Sequence, residues 1–182
     1  MKTIIITGTI ASGKSTVLNI LEQRFAYHII SADKVYHTLF EQGIFDKECK
    51  KAFKTVDRAE LRAIVLNDKK AREKLGSITH PKIIDKIKKQ INEQPKKNIA
   101  IEIPLFDKKN LIEHDVSVFI TAPLDDRLVR LTKRGIIKED ALNLIDVQHH
   151  FEKLNDCDYT INNDGDEKIL EQKIGQILKD LE

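Results

Sequence analysis

The sequence predicts an α/β domain built on a parallel five-stranded sheet flanked by helices. Three observations carry that expectation. Five short runs are apolar and mostly rich in β-branched residues: Lys2–Thr7, Tyr27–Ser31, Ile99–Ile103, Val116–Thr121 and Tyr159–Ile161. Such runs suit strands buried on both faces. Longer stretches with apolar residues at helical spacing lie between them, and this alternation argues for a parallel sheet. Finally, 182 residues with 41% apolar and 33% charged side chains can build one domain with a core and are too apolar for wholesale disorder.

Lys2–Thr7 is bounded by Gly8, and Val17, Leu18, Leu21 and Phe25 then mark one face of a helix beginning near Lys14. Tyr27–Ser31 leads to Asp33, a residue suited to cap a helix over Lys34–Phe40. Residues 44–97 hold no convincing strand and read as a helical insertion, with Ile84, Ile87 and Ile91 on one side of a Lys-rich segment. After the third and fourth strands, Ala122-Pro123 opens a helix marked by Leu124, Leu128 and Leu131, and Gly135 ends it. A second helical pattern follows, so residues 124–148 have the build of a hinged lid. Ile169, Ile174, Ile177, Leu178 and Leu181 mark a last helix. The core is then expected over about 1–43, 98–123 and 149–182 of a single domain.

Composition removes several classes of function. Lys and Arg number 31 against 29 Asp and Glu, a net charge of +2. That near-balance argues against a protein that coats nucleic acid. The longest apolar runs, such as Ile4–Ile6, fall far below the roughly 20 residues of a membrane span. The first residues enter a strand with no signal-peptide pattern. The expectation is a cytoplasmic protein with Cys49 and Cys157 as reduced thiols. His149, His150 and Cys157 lack a second Cys at metal-ligand spacing.

The strongest motif is Gly8-Thr9-Ile10-Ala11-Ser12-Gly13-Lys14-Ser15, which fits G-x-x-x-x-G-K-[ST]. The two glycines let the backbone wrap so that successive N–H groups point into one concavity. The following helix adds the positive end of its dipole. Ala11, Ser12, Gly13 and Thr16 belong to this cradle, Lys14 reaches the β- and γ-phosphates of ATP, and the Ser15 hydroxyl suits Mg²⁺. The run N-K-x-D that reads guanine in GTPases is missing, and large ATPases need more chain. A phosphate loop, a short chain and a lid pattern together predict the P-loop kinase fold and a small-molecule kinase.

Three further positions follow from the chemistry of phosphoryl transfer. Asp33 stands just past the second strand, placed here beside the first, where ligands of parallel sheets bind. A carboxylate there can orient a hydroxyl and take its proton. Arg127, Arg130 and Arg134 share one helix stripe, opposite the leucines. Of these, Arg134 beside Gly135 is best placed to clamp the transferred phosphoryl, the other two reading as supporting or structural. Glu102, at the end of the third strand, can hold Mg²⁺ through water. Lys82, Lys86, Lys88 and Lys89 read as a solvated helix face, or as attraction for a pyrophosphate. The residues alone leave the acceptor open: a nucleoside, a nucleoside monophosphate, shikimate or another small alcohol. They also leave open a regulator that binds ATP without transferring phosphate.

The chain resembles one known family, the dephospho-coenzyme A kinases. The resemblance rests on Thr7 to Thr16; Ile30-Ser31-Ala32-Asp33; Asp57-Arg58 with Leu61 and Val65; and His80-Pro81 with Ile83. It continues through Ile103-Pro104-Leu105-Phe106; Arg130-Leu131 with Arg134; Gln148; and Asp158-Tyr159 with Ile161, Asn163 and Gly165. It implies ATP-dependent phosphorylation of the ribose 3′-hydroxyl of dephospho-CoA, with Asp33 as the catalytic carboxylate and Arg134 as the lid arginine. It also implies acceptor contacts at Asp33, Arg58, His80 and Pro104, and an adenine flanked by Asn163 and Gly165. The chain departs from the family pattern in having Gly8-Thr9 for Gly-Gly and Ser31-Ala32-Asp33 for Asp-Ala-Asp. Pro104-Leu105-Phe106-Asp107 is shorter than the family's Pro-Leu-Leu-Phe-Glu, and the stretch from Gly43 to Asp57 is short.

Overall fold

Thr3–Gly8 form β1, whose six residues are all buried. An apolar strand buried on both faces needs a neighbour on each edge, and β1 has two. In the computed structural model, which describes residues 1–104, 112–153 and 156–181 (the backbone alone at Asn67 and over 147–153), β1 is followed by α1 (Lys14–Phe25), β2 (His28–Ser31) and α2 (Ala32–Glu41). Three more helices come next: α3 (Asp46–Phe53), α4 (Arg58–Asn67) and α5 (Lys69–Asn92). The chain then runs through β3 (Ile99–Glu102), β4 (Val116–Thr121), α6 (Leu124–Lys133), α7 (Lys138–Lys153), β5 (Tyr159–Asn162) and α8 (Glu167–Asp180). These elements fall into two compact units, Met1–Ser31 with Pro95–Glu182, and Ala32–Gln94.

The first unit holds the sheet, parallel throughout, in the order β2-β3-β1-β4-β5. All five expected strands form, with ends shifted by a residue or two. The order corrects one expectation: β2 does not lie beside β1. Ile99, Ala100 and Ile101 of β3 are wholly buried and take the place next to β1, while β2, with His28 and Ile29 only half-buried, takes the edge. Val17, Leu18 and Leu21 of α1 pack with Ile4, Ile6, Val118 and Ile120 of the sheet and with Leu170, Ile174 and Ile177 of α8. In α8 Leu170 takes the core position expected of Ile169, which is exposed. In α6 Leu131 is buried with Arg127, whereas Leu124 lies half in water.

The second unit is wholly helical. Phe45 is its fully buried centre, with the Tyr36 ring stacked at 5.9 Å and Phe40 at 6.2 Å. Asp57 caps α4 by accepting from Glu60 N, and Asp68 caps α5 by accepting from Ala71 N. Pro81 lies inside α5 without ending it. The unit begins at Ala32, earlier than the expected residue 44, because α2 buries Val35 and Leu39 and packs on α5. Lys82 is not part of a free cationic face. It donates to Glu48 Oε1 at 2.9 Å and Ile44 O at 2.8 Å, and its ammonium lies 5.7 Å from the Phe45 ring centre. Burial pushes the Cys49 thiol up, with the Glu48 and Asp46 carboxylates adding to it. Neither Cys49 nor Cys157 is in a disulfide. No described helix is long and apolar enough to cross a membrane.

Candidate active site

Between β1 and α1 the backbone turns through three residues with positive φ: Gly8 at 143°, Ala11 at 58° and Gly13 at 97°. At Gly8 a side chain would collide with the Ile120 backbone of β4, whose carbonyl accepts from Thr9 N at 3.2 Å. At Gly13 it would collide with the Asn163 amide. Ala11 carries a side chain in the left-handed region, which costs about 1 kcal/mol. Thr16 N and Val17 N donate to Gly13 O and start α1, whose first turn has no acidic residue to oppose an anion.

Five successive carbonyls of this loop each accept from a side chain. Lys14 Nζ donates to Gly8 O and Thr9 O, both at 2.9 Å. Arg127 Nε donates to Ile10 O at 3.0 Å, Arg130 Nη1 to Ala11 O at 3.0 Å and Asn163 Nδ2 to Ser12 O at 2.8 Å. Arg130 Nη2 also reaches Asn163 O at 3.4 Å. The carbonyls are thus engaged by side chains rather than left for a ligand. Lys14 is held on its own loop, so reaching a phosphate means exchanging carbonyl oxygens for phosphate oxygens.

Beside the loop opens a cleft of about 360 Å³, lined by Gly13, Ser15, Thr16, Arg130, Arg134, Asn163, Gly165, Glu167 and Leu170. Six of the expected site residues therefore meet on one surface: Gly13, Ser15, Thr16, Arg134, Asn163 and Gly165. Ser12 is fully buried, so its part is played by its backbone. Asn163 is also buried, and its amide braces the loop besides lining the cleft. Arg134 is exposed and follows the last residue of α6, just before Gly135 at φ 84°. Arg127 and Arg130 tie α6 to the loop.

At the end of the sheet, Glu102 pairs in register with Ile6 and Ser31, and its Oε2 accepts from Ser31 Oγ at 3.0 Å. Pro104 O accepts from Thr7 Oγ1 at 3.3 Å. An exposed hydroxyl at Ser15 and a carboxylate at Glu102 are hard oxygen donors, and they fit Mg²⁺, which takes one or two protein oxygens together with substrate phosphates. Among the described residues no group of three His, Cys, Asp or Glu could cage a metal.

The other expected residues lie in the helical unit. Asp33 is exposed, two residues along the chain from Ser31. It stands in the first turn of α2, which already begins at Ala32, so it is a first-turn acid and not the cap ahead of the helix. Arg58 opens α4, and its Nη2 lies 3.0 Å from His37 Nε2. His80 is exposed on α5, against Gly76. Leu105, Phe106 and Asp107 lie outside the described residues, as do the side chains of Gln148, His149 and His150. The sequence reading missed His37, Glu167 and Leu170, and it did not foresee the bonds Arg127 makes. No local signal marks these residues, since their partners are remote in the chain.

A parallel sheet in this order, with a phosphate loop after its central strand and an arginine-bearing helix tied to that loop, defines a P-loop kinase. The family model for dephospho-CoA kinase matches residues 2–168. The dephospho-CoA kinase of Listeria monocytogenes serotype 4b is 34% identical over 94% of this chain and 93% of its own length. The crystal structure of TT1252 from Thermus thermophilus matches at TM-score 0.82 and 26% identity, covering 100% of this chain and 98% of that one. The structure of dephospho-CoA kinase from Campylobacter jejuni matches at TM-score 0.65 and 29% identity, covering 98% and 96%. The chain belongs to the dephospho-CoA kinase family.

Proposed function

We propose that this chain transfers the γ-phosphoryl group of ATP to the ribose 3′-hydroxyl of dephospho-CoA, giving coenzyme A and ADP in the cytoplasm. The observation that carries this reading is the family match along residues 2–168. The phosphate loop and its cleft supply the chemistry that such a reaction needs.

Phosphoryl transfer is achieved mainly by positioning and by charge stabilisation. The loop amides and the N-terminus of α1 hold the β- and γ-phosphates. Lys14 leaves the carbonyls of Gly8 and Thr9 to neutralise the charge between those phosphates. Asp33 accepts a hydrogen bond from the 3′-hydroxyl and takes its proton as that oxygen bonds to the γ-phosphorus. The bond from the γ-phosphorus to the bridging oxygen breaks, and ADP departs. Arg134 spreads its guanidinium over the equatorial oxygens as their charge builds. Ser15 directly, and Glu102 through water, would hold Mg²⁺, which would supply charge neutralisation for the phosphates. Arg58, His80 and Pro104 contact the acceptor, and Asn163 and Gly165 flank the adenine of ATP.

The test is coupled ADP release with ATP and Mg²⁺, run with dephospho-CoA, a nucleoside, a nucleoside monophosphate and shikimate in turn. ADP release that depends on dephospho-CoA is expected. Conversion of another acceptor in its place would move the chain to a different small-molecule kinase. ATP binding with no acceptor-dependent release would make it a nucleotide-binding regulator.

A further inference from the structure

We propose that Arg127 is a positioning residue for phosphate binding, holding the loop from behind in the conformation that receives the anion. The inference rests on the phosphate-binding reading of Gly8–Ser15 given above. Arg127 is 4% exposed, far too buried for a solvated helix face. Its stem lies on α6 one turn before the fully buried Leu131, and its Nε donates to Ile10 O at 3.0 Å.

The point it grips is the strained one. Ala11 sits at φ 58°, a conformation that a residue with a side chain leaves unless its surroundings hold it. The two carbonyls on either side of that residue are each held by a guanidinium of α6, Ile10 O by Arg127 and Ala11 O by Arg130. In a planar trans peptide the carbonyl and the following N–H point in opposite directions. Fixing Ile10 O against Arg127 therefore aims Ala11 N–H the other way, away from that guanidinium. Arg130 does the same at the next peptide, but it also lines the cleft, where it can meet a ligand directly. Arg127 does not line that cleft, and its bond to Ile10 O acts on an anion through the backbone.

The chemistry of the contact suggests a clean test. Gln carries its Nε2 the same number of bonds from the backbone as the Nε of Arg, so R127Q keeps a donor and removes the charge. R127M keeps the apolar stem and removes the donor. Inorganic tripolyphosphate is the probe, its binding measured by calorimetry beside the melting temperature without ligand, and KM is measured for ATP and for the acceptor. R127M is expected to bind tripolyphosphate about tenfold or more weakly, since a lost hydrogen bond to a charged donor leaves a part-buried carbonyl unpaired. R127Q should stay within about threefold of the parent, as a donor remains. Adding A11G to R127M should restore at least about threefold, because glycine adopts the left-handed conformation without being held.

R127M binding as the parent does would overturn the proposal, as would R127Q falling as far as R127M. Equal losses for ATP and acceptor, or no recovery on adding A11G, would also overturn it. Should R127M not fold, the comparison moves to the A11G background; failure to fold there as well would mean that the guanidinium holds the core and not the loop. If the unaltered chain binds neither tripolyphosphate nor ATP, the phosphate-binding reading itself is wrong, an outcome distinct from all of these.

Discussion

At Gly13 two demands coincide. The backbone needs φ 97°, and the space a side chain would fill is taken by the Asn163 amide that holds Ser12 O. Gly13→Ala is therefore expected to cost about 2 kcal/mol through strain alone and to dislodge Asn163. A drop in melting temperature together with loss of ATP binding is the expected result; a variant that melts and binds as the parent does would contradict the geometry. Asp33 carries the opposite kind of prediction. It is exposed and braces nothing among the described contacts of the loop, so Asp33→Asn should leave KM for ATP within about threefold and lower kcat by about 10³-fold, the usual scale for a lost general base. A fall in kcat of less than tenfold would remove Asp33 from proton transfer. These two positions also differ in how they could be read. Gly13 was visible as part of a spaced motif with a physical reason for each fixed place. The role of Asn163 as a brace was not, because its partner lies 151 residues away in the chain.

Helix α6 shows where periodicity misleads. Its leucines and arginines sort onto two stripes, which suggests a buried apolar face and a wet cationic one. The structure instead buries Arg127 with Leu131 and leaves Leu124 exposed, because the carbonyls of a remote loop give a guanidinium partners that water would otherwise provide. In the helical unit, α3 and α5 meet through Glu48 and Lys82. The hydrogen bond from Lys82 holds the Glu48 carboxyl below its ordinary value of 4.5. A depressed acid stabilises the fold in full above that ordinary value and loses its contribution as the pH falls through its native one. Glu48→Gln should therefore lower the melting temperature by a small margin at pH 7, with the difference closing in acid. Because both groups reach solvent the margin stays small; a gap that persisted unchanged well below pH 4 would mean that the carboxylate charge is not its source.

For the whole molecule, strand content and the parallel sheet were legible in five apolar runs, since a strand buried on both faces has little choice of composition. Strand order was not, and β3 beside β1 with β2 at the edge follows from relative burial, which only the assembled sheet reveals. Nor was the extent of the helical unit, because α2 follows β2 with hardly a break yet buries its apolar side on α5. The central position of β1 has a consequence for how the chain is made. Its two neighbours, Ile99–Glu102 and Val116–Thr121, leave the ribosome long after it does. The nascent chain thus carries Ile4-Ile5-Ile6 unpaired through most of its synthesis, and contacts so distant in sequence form slowly. The cleft beside the phosphate loop needs Asn163, Gly165, Glu167 and Leu170, which are made long after the loop itself, so a fragment that stops short of them should be caught by chaperones before it can catch a nucleotide.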